Sequence, residues 1–389
     1  MGKGQDLYIK AKRLIPGGTQ LLSKRPEMFL PDYWPSYYSK AVGVDVWDLD
    51  GHRYIDMSIM GVGACILGYA DSDVDAAVHK AVSNGSMCTL NCPEEVELSE
   101  LMCELHPWFD MVRYARSGGE AAAIAIRIAR AATGRDKVAI CGYHGWHDWY
   151  LAANLGDTSN LDGHLLPGLS PAGVPRALKG SALTFNYGDE EAFKKIIEEE
   201  GDNLAAVIME PARGHEASLS FLSAVQSETR RAGAVLIFDE ITSGFRMCCG
   251  GIHIKYGIHP DMSVFAKAIS NGYPMAVVIG KREVMEAAQN SFISSTNWTE
   301  RIGPTAALAT IRKYRERKVD RHIIEIGGQV QNLWKDLADE AGLNINVNGL
   351  PTLGHFEIEG KDSLMLRTLF TQMMLDRGYL AWCQFKVSY

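Results

Sequence analysis

The chain predicts an α/β protein: a large domain around a mainly parallel sheet of seven strands, with a smaller α+β domain beside it. Two observations carry the prediction. From about residue 65 to 300, short apolar runs alternate with helical stretches, the pattern of strands joined by helical crossovers. And 389 residues are too many for one small core but suit one large domain with a lesser partner.

In chain order, residues 1–60 read as an N-terminal segment contributing to the small domain. It opens with a helical pattern from Asp6 to Leu14 and turns at Pro16-Gly17-Gly18. It then enters VGVDVWDLDGHRYIDM, where Val42, Val44 and Val46 alternate ahead of an Asp50-Gly51 turn, a small antiparallel unit. Residues 61–304 form the large domain. Its strands are expected at Met111 to Ala115, Lys137 to Cys141, Ala182 to Asn186, Leu204 to Glu210, Ala234 to Glu240, Met262 to Ala266 and Met275 to Gly280. An alanine-rich helix is expected from Gly119 to Ala132. A solvated helix is expected from Asp189 to Glu200, where Glu190 and Glu191 precede Lys194 and Lys195 by four positions. Residues 305–389 complete the small domain through a helix around Ala306 to Tyr314, a β patch near Leu353 to Ile358 and a helix from Asp362 to Asp376.

With 47% hydrophobic and 22% charged residues the composition is that of a globular protein, which argues against disorder or a fibrous repeat. Lys and Arg total 39 against 47 Asp and Glu, a formal charge of −8, and no basic tract is present to follow a nucleic acid backbone. The first residues, MGKGQDLYIKAKRLIPGG, lack the apolar core of a secretion signal, and no later window has the length of a membrane span. A cytoplasmic protein with neither nucleic acid nor membrane as partner is expected. Eight cysteines, Cys248 and Cys249 adjacent and Cys88 and Cys92 four apart, fit reduced thiols better than a disulfide framework or a metal site.

Ligands of open parallel sheets collect at the carboxyl ends of the strands, and the residues there form an unusual set. Arg116-Ser117-Gly118-Gly119-Glu120 opens a helix whose free backbone amides favour a phosphate; a plain tight turn is the alternative. Tyr143 and His144 offer flat rings beside that site, and either also suits a core aromatic. His144 and His147 lack a third partner for a metal, so no metal is expected. Asp239 ends an apolar run, where an ionised carboxylate needs a cation. Lys267 ends the next, where lost hydration lowers an amine toward nucleophilic use; a salt bridge to Asp239 is the alternative for these two alone. A phosphate cradle, a stacking ring, a carboxylate for a pyridinium nitrogen and a lysine for an aldehyde together describe pyridoxal 5′-phosphate.

From about Ile15 onward the chain resembles the class III aminotransferases of the pyridoxal-phosphate fold type I, most of all their glutamate-1-semialdehyde aminomutase branch. The motifs are IFDEITSGFR (Ile237 to Arg246) and FAKAISNGYP, with 267 − 239 = 28 residues from Asp239 to Lys267. IPGG (Ile15 to Gly18), DLDGHRYIDM (Asp48 to Met57), SGGEA (Ser117 to Ala121), YHGWHD (Tyr143 to Asp148) and MEPARG (Met209 to Gly214) support them. The resemblance implies that Lys267 bonds the cofactor aldehyde and moves the catalytic proton. It implies that Asp239 holds the ring nitrogen protonated, Tyr143 stacks on one ring face and Ile241 on the other, and Gly118 and Gly119 bind the phosphate. It also puts Glu210 near the cofactor and implies that Thr296 reaches a neighbouring subunit's phosphate, hence a homodimer with shared sites.

Four departures from the family pattern bear on substrate. Gly119 stands where the family often has Ser or Thr, which removes a hydroxyl from the phosphate turn. The stretch TQLLSKRPE offers Lys24 or Arg25 for a substrate carboxylate, of which Arg has the bidentate geometry. Lys386 replaces a Glu after the Gln-Phe pair, consistent with an anionic or polyhydroxylated substrate or with a surface lysine. The chain also stops at Tyr389, a few dozen residues before the family's usual end, which reads as a truncated small domain. The segment SSTNWTERIGP resembles aminotransferases of cell-surface carbohydrate pathways. The expected activity is amino transfer from a donor, glutamate first, to a carbonyl acceptor of carbohydrate origin. The alternatives are an intramolecular aminomutase, a racemase and an inactive cofactor-binding partner.

Overall fold

The computed structural model describes residues 2–389 apart from 165, 213 and 215–217. The chain divides into two compact units, Met1–Ala76 with Lys313–Tyr389, and Ala77–Arg312.

The first unit opens with the helix Lys3–Leu14, acidic at its first turn (Asp6) and basic at its last (Lys12, Arg13), as the helix dipole favours. Strands β1 (Tyr38–Val42), β2 (Asp45–Asp48) and β3 (Arg53–Met57) follow as an antiparallel meander. The alternation Val42, Val44, Val46 therefore does not run along one strand. The chain reverses at Gly43, whose φ of +60° a residue without Cβ adopts freely, and Val42 pairs with Asp45. The next turn is closed by the Asp48 carboxylate, which accepts the N–H groups of Asp50 and His52 at 2.9 Å each.

The second unit holds β4 (Met111–Ala115), β5 (Lys137–Cys141), β6 (Ala182–Thr184), β7 (Leu204–Met209), β8 (Val235–Asp239), β9 (Met262–Phe265) and β10 (Ala276–Gly280). They form the expected seven-stranded sheet, in the order β4-β10-β9-β8-β7-β5-β6. Neighbours from β9 to β6 are parallel, whereas β10 runs antiparallel to both β4 and β9. The connection from β9 to β10 explains this reversal: it is too short for a crossover helix. Every residue of β7 and β8 is buried, as expected of strands covered on both faces. Alternate residues of β5 serve the two faces. Val138 and Ile140 pack under the helix Gly118–Thr133, and Ala139 and Cys141 pack under the helices Glu190–Glu200 and Leu219–Arg231. The first of these helices meets the sheet through Ala121, Ala122, Ala125 and Ala129, all fully buried. The opposite face buries Phe193, Phe221, Leu222 and Val225, each worth roughly 1.5–3 kcal/mol on removal from water.

The chain then returns to the first unit with β11 (Ile345–Asn348), β12 (Leu353–Ile358), β13 (Tyr379–Ala381) and β14 (Gln384–Lys386). Strands β11, β12 and β14 form an antiparallel sheet, and β13 joins β3 in parallel to complete a four-stranded one. Among the described residues no helix is long and apolar enough to cross a membrane.

Candidate active site

Strands β8 and β9 lie side by side in parallel, with Asp239 opposite Val264, so Asp239 and Lys267 emerge from neighbouring strand ends. Asp239 is 1% exposed. Its Oδ2 accepts a hydrogen bond from His144 Nδ1 at 2.7 Å and its Oδ1 one from the Ile241 N–H at 3.0 Å. A charged carboxylate at the end of an apolar strand needs such partners. His144, expected as a ring beside the phosphate, is buried with Asp239.

Lys267 has a φ of +52°, a left-handed conformation that costs a lysine on the order of 1–3 kcal/mol. The buried residues Ala268, Ile269 and Ser270 of the following turn hold it there. Its Nζ donates to Thr242 Oγ1 at 2.8 Å, so the turn after β8 carries contacts to both Asp239 and Lys267.

At the end of β4 the helix Gly118–Thr133 begins with a reciprocal cap. The Glu120 carboxylate accepts the Ser117 N–H at 2.9 Å, and the Ser117 hydroxyl accepts the Glu120 N–H at 3.5 Å. The Ser-x-x-Glu spacing in SGGEA is the sequence signal for that cap. Ser117 is thereby committed to the helix start. The amides of Gly118 and Gly119 have no carbonyl behind them within the helix and lie at the positive end of its dipole. A Cβ on Gly118 would come within 2.8 Å of Ile241 Cδ1, so glycine is what lets the helix start and the turn after β8 approach.

After β5, Gly142 N–H donates to His164 Nδ1 at 2.9 Å and Tyr143 N–H to Glu210 Oε2 at 3.1 Å. Burial, with the nearby His144, pushes His164 down to about 4, which keeps it a neutral acceptor. Glu210 is itself buried at the end of β7, where its amide donates to the Cys141 carbonyl at 3.1 Å. The Tyr143 ring is half-buried and edge-on to Tyr150 at 5.9 Å.

The strand ends thus gather Ser117, Gly118, Gly119, Tyr143, His144, Glu210, Asp239, Ile241 and Lys267. Thr296 stands apart, exposed at the start of the turn Thr296–Thr299. Arg116 tethers that turn by donating to the carbonyls of Trp298 and Glu300 at 2.8 Å each and pairing with the Glu300 carboxylate at 2.7 Å. Lys24, Arg25 and Lys386 belong to the other unit. Lys24 is exposed, Arg25 is half-buried beside Gly17, and Lys386 is half-buried on β14, its amide donating to the Ser58 carbonyl at 2.7 Å. Arg213 of the MEPARG stretch lies outside the described residues. Among the described residues no cluster of three His, Cys, Asp or Glu is placed to hold a metal. Sequence reasoning missed Thr242, His164 and the pairing of His144 with Asp239. Each is a contact between segments at least 22 residues apart, which no local pattern announces.

A half-buried amine, a buried carboxylate braced by an imidazole, an aromatic ring and a helix start opened by two glycines fit pyridoxal 5′-phosphate. With a mostly parallel seven-stranded sheet they define a pyridoxal-phosphate-dependent transferase of fold type I. The family model described as aminotransferase class-III matches residues 31–381, and the chain belongs to that family, whose members use this cofactor. A curated relative, the 3-aminobutyryl-CoA aminotransferase of Cloacimonas acidaminovorans (strain Evry), is 31% identical over 380 residues, covering 96% of this chain and 87% of its own. The glutamate-1-semialdehyde 2,1-aminomutase of Methanobrevibacter smithii is 29% identical over 405 residues, covering 99% and 92%. Among solved structures, an omega-transaminase from Sphaerobacter thermophilus is similar at a TM-score of 0.88 and 27% identity, covering 100% of this chain and 93% of its own.

Proposed function

We propose that the protein takes nitrogen from an amino-acid donor, glutamate first, and delivers it to a carbonyl acceptor of carbohydrate origin. The observation that carries the reading is the joint turn after β8, which contacts both the buried Asp239 and the Lys267 amine. Bound there, pyridoxal phosphate supplies an aldehyde for amine exchange and a ring that takes up electrons when a bond at the substrate Cα breaks. Lys267 would bond the cofactor aldehyde and serve as the base that moves the proton at the substrate Cα, its Nζ oriented by the Thr242 hydroxyl. Asp239, braced by His144, keeps a proton on the ring nitrogen. Tyr143 and Ile241 would hold the cofactor ring, and the amides of Gly118 and Gly119 would hold its phosphate beside the Ser117 cap. Glu210 fixes the loop that bears Tyr143.

A second copy completes each site in this reading, with Thr296 reaching across to the partner's phosphate in a cytoplasmic homodimer. The acceptor is an anionic or polyhydroxylated compound, the class that the positive charges of Lys24, Arg25 and Lys386 suit. The M. smithii relative supports a second reading, an intramolecular transfer from glutamate-1-semialdehyde to 5-aminolevulinate. One experiment separates them. A visible spectrum of the loaded protein is taken before and after L-glutamate, with 2-oxoglutarate measured in the supernatant. Loss of the yellow band with stoichiometric 2-oxoglutarate supports the glutamate donor. A band indifferent to glutamate, together with conversion of glutamate-1-semialdehyde without keto-acid release, supports the mutase.

A further inference from the structure

By its resemblance to the family, Gly119 stands where a Ser or Thr is frequent, and in the structure a neighbouring side chain takes up the space beside it. A Cβ on Gly119 would come within 2.9 Å of His147 Cε1 and 3.1 Å of His147 Nδ1. The imidazole already fills the space into which a serine or threonine side chain would project.

His147 is held in that place from two sides. Its carbonyl caps the short helix Asp148–Leu151, accepting the N–H groups of Tyr150 at 2.9 Å and Leu151 at 3.1 Å. Its ring stacks on Trp146, with centroids 4.4 Å apart and planes 22° from parallel. Its Nδ1 is buried and, among the described residues, has no hydrogen-bond partner, a costly arrangement for a polar atom beside a helix start unless a ligand satisfies it. Glu120, the nearest acid on that helix, has its carboxylate turned onto the Arg116 and Ser117 amides and the Trp298 indole, at 3.1, 2.9 and 3.4 Å. Burial lowers the His147 ring below its ordinary value against the opposing pull of Glu120 and Asp148. A neutral imidazole still carries one N–H donor.

We propose that His147 is a ligand of the cofactor phosphate, its imidazole replacing the hydroxyl that Gly119 lacks. Glycine and histidine form one device: the missing Cβ makes room for the ring, and the ring supplies the donor. The proposal rests on the reading of the Gly118–Gly119 helix start as the phosphate cradle. It adds a side chain from the loop after β5 to the backbone amides of Gly118 and Gly119.

The test compares pyridoxal 5′-phosphate with pyridoxal, which lacks the phosphate, in titrations of cofactor-free protein followed by fluorescence. His147→Ala should raise the Kd for pyridoxal 5′-phosphate about tenfold or more, the loss expected for one hydrogen bond to a charged group. It should leave the Kd for pyridoxal within about twofold. Gly119→Ser combined with His147→Ala, which restores a hydroxyl where the ring has been removed, should recover part of the loss. Equal weakening of both ligands by His147→Ala would make the ring a packing element and overturn the proposal, as would no change for either. Wild-type protein that binds pyridoxal as tightly as pyridoxal 5′-phosphate would overturn the cradle itself, and His147 with it.

Discussion

Two buried carboxylate–imidazole pairs stand next to each other at the end of β8. Asp239 is joined to His144 and Glu240 to His253, each at 2.7 Å, and each carboxylate is essentially inaccessible. Their surroundings differ. Glu240 takes both the His253 amide and ring on Oε1 and the Ser243 hydroxyl on Oε2, and His253 lies against His106 with ring centroids 5.6 Å apart. Burial opposes its ionisation, but the bonds and charge of His253 with the Ser243 hydroxyl hold its carboxyl below the usual range. Asp239 has two hydrogen bonds on a group with room for about four. One carboxylate is closed into the fold, and its neighbour keeps acceptor capacity at a strand end. Consecutive acids can thus differ in kind, one closed into the fold and one with acceptor capacity to spare.

The predictions sharpen that division. Lys267→Ala, which removes the group both readings of the site depend on, should reduce turnover by about 10⁴-fold or more while circular dichroism stays unchanged. Asp239→Asn should lose about 10²–10³-fold in kcat with modest loss of cofactor if, as proposed, it holds the cofactor's ring nitrogen protonated. Near-normal rates would remove the ring nitrogen as its partner. Glu240→Gln should behave in the opposite way: chemical denaturation should show a loss of about 2–3 kcal/mol, with kcat per folded molecule little altered. A Glu240 variant that is stable but inactive would erase the distinction. Thr242→Val, which deletes one hydrogen bond to Lys267 Nζ, should lower kcat by roughly three- to tenfold and leave the melting temperature nearly unchanged.

A separate effect is on pH. Burial and the neighbouring His253 push His106 down to about 4 from its ordinary 6.5. The unfolded chain therefore takes up a proton that the folded chain refuses. Stability is full above pH 6.5 and declines as pH falls toward 4, by on the order of 1 kcal/mol per pH unit from this residue. The low Glu240 carboxyl acts in the same direction at the acid end, since its contribution is lost as it protonates. His106→Asn should flatten the decline of melting temperature between those limits, and an unchanged slope would remove His106 as its source.

The sheet was legible because each strand is a self-contained apolar run, and β4 and β5 begin and end where their runs do. Runs ending in Asn186, Glu210, Glu240 or Ala266 overshoot by one or two residues, since those residues leave the ladder to make loop contacts. The reversal of β10 and the turn at Gly43 were hidden, because periodicity carries no direction and a two-residue turn does not interrupt it. At the site, Asp239 and Lys267 were readable as polar groups closing apolar strands. Their supports, His144 and Thr242, were not, since neither type nor position marks a residue as another's partner.

The central claim is that Lys267 is the residue that bonds the cofactor aldehyde. Loaded protein reduced with borohydride, digested and read by peptide mass spectrometry tests it most directly. A phosphopyridoxyl mass on the peptide containing Lys267, absent from Lys267→Ala, is the predicted result. That mass on another lysine, or unmodified protein throughout, would contradict the account.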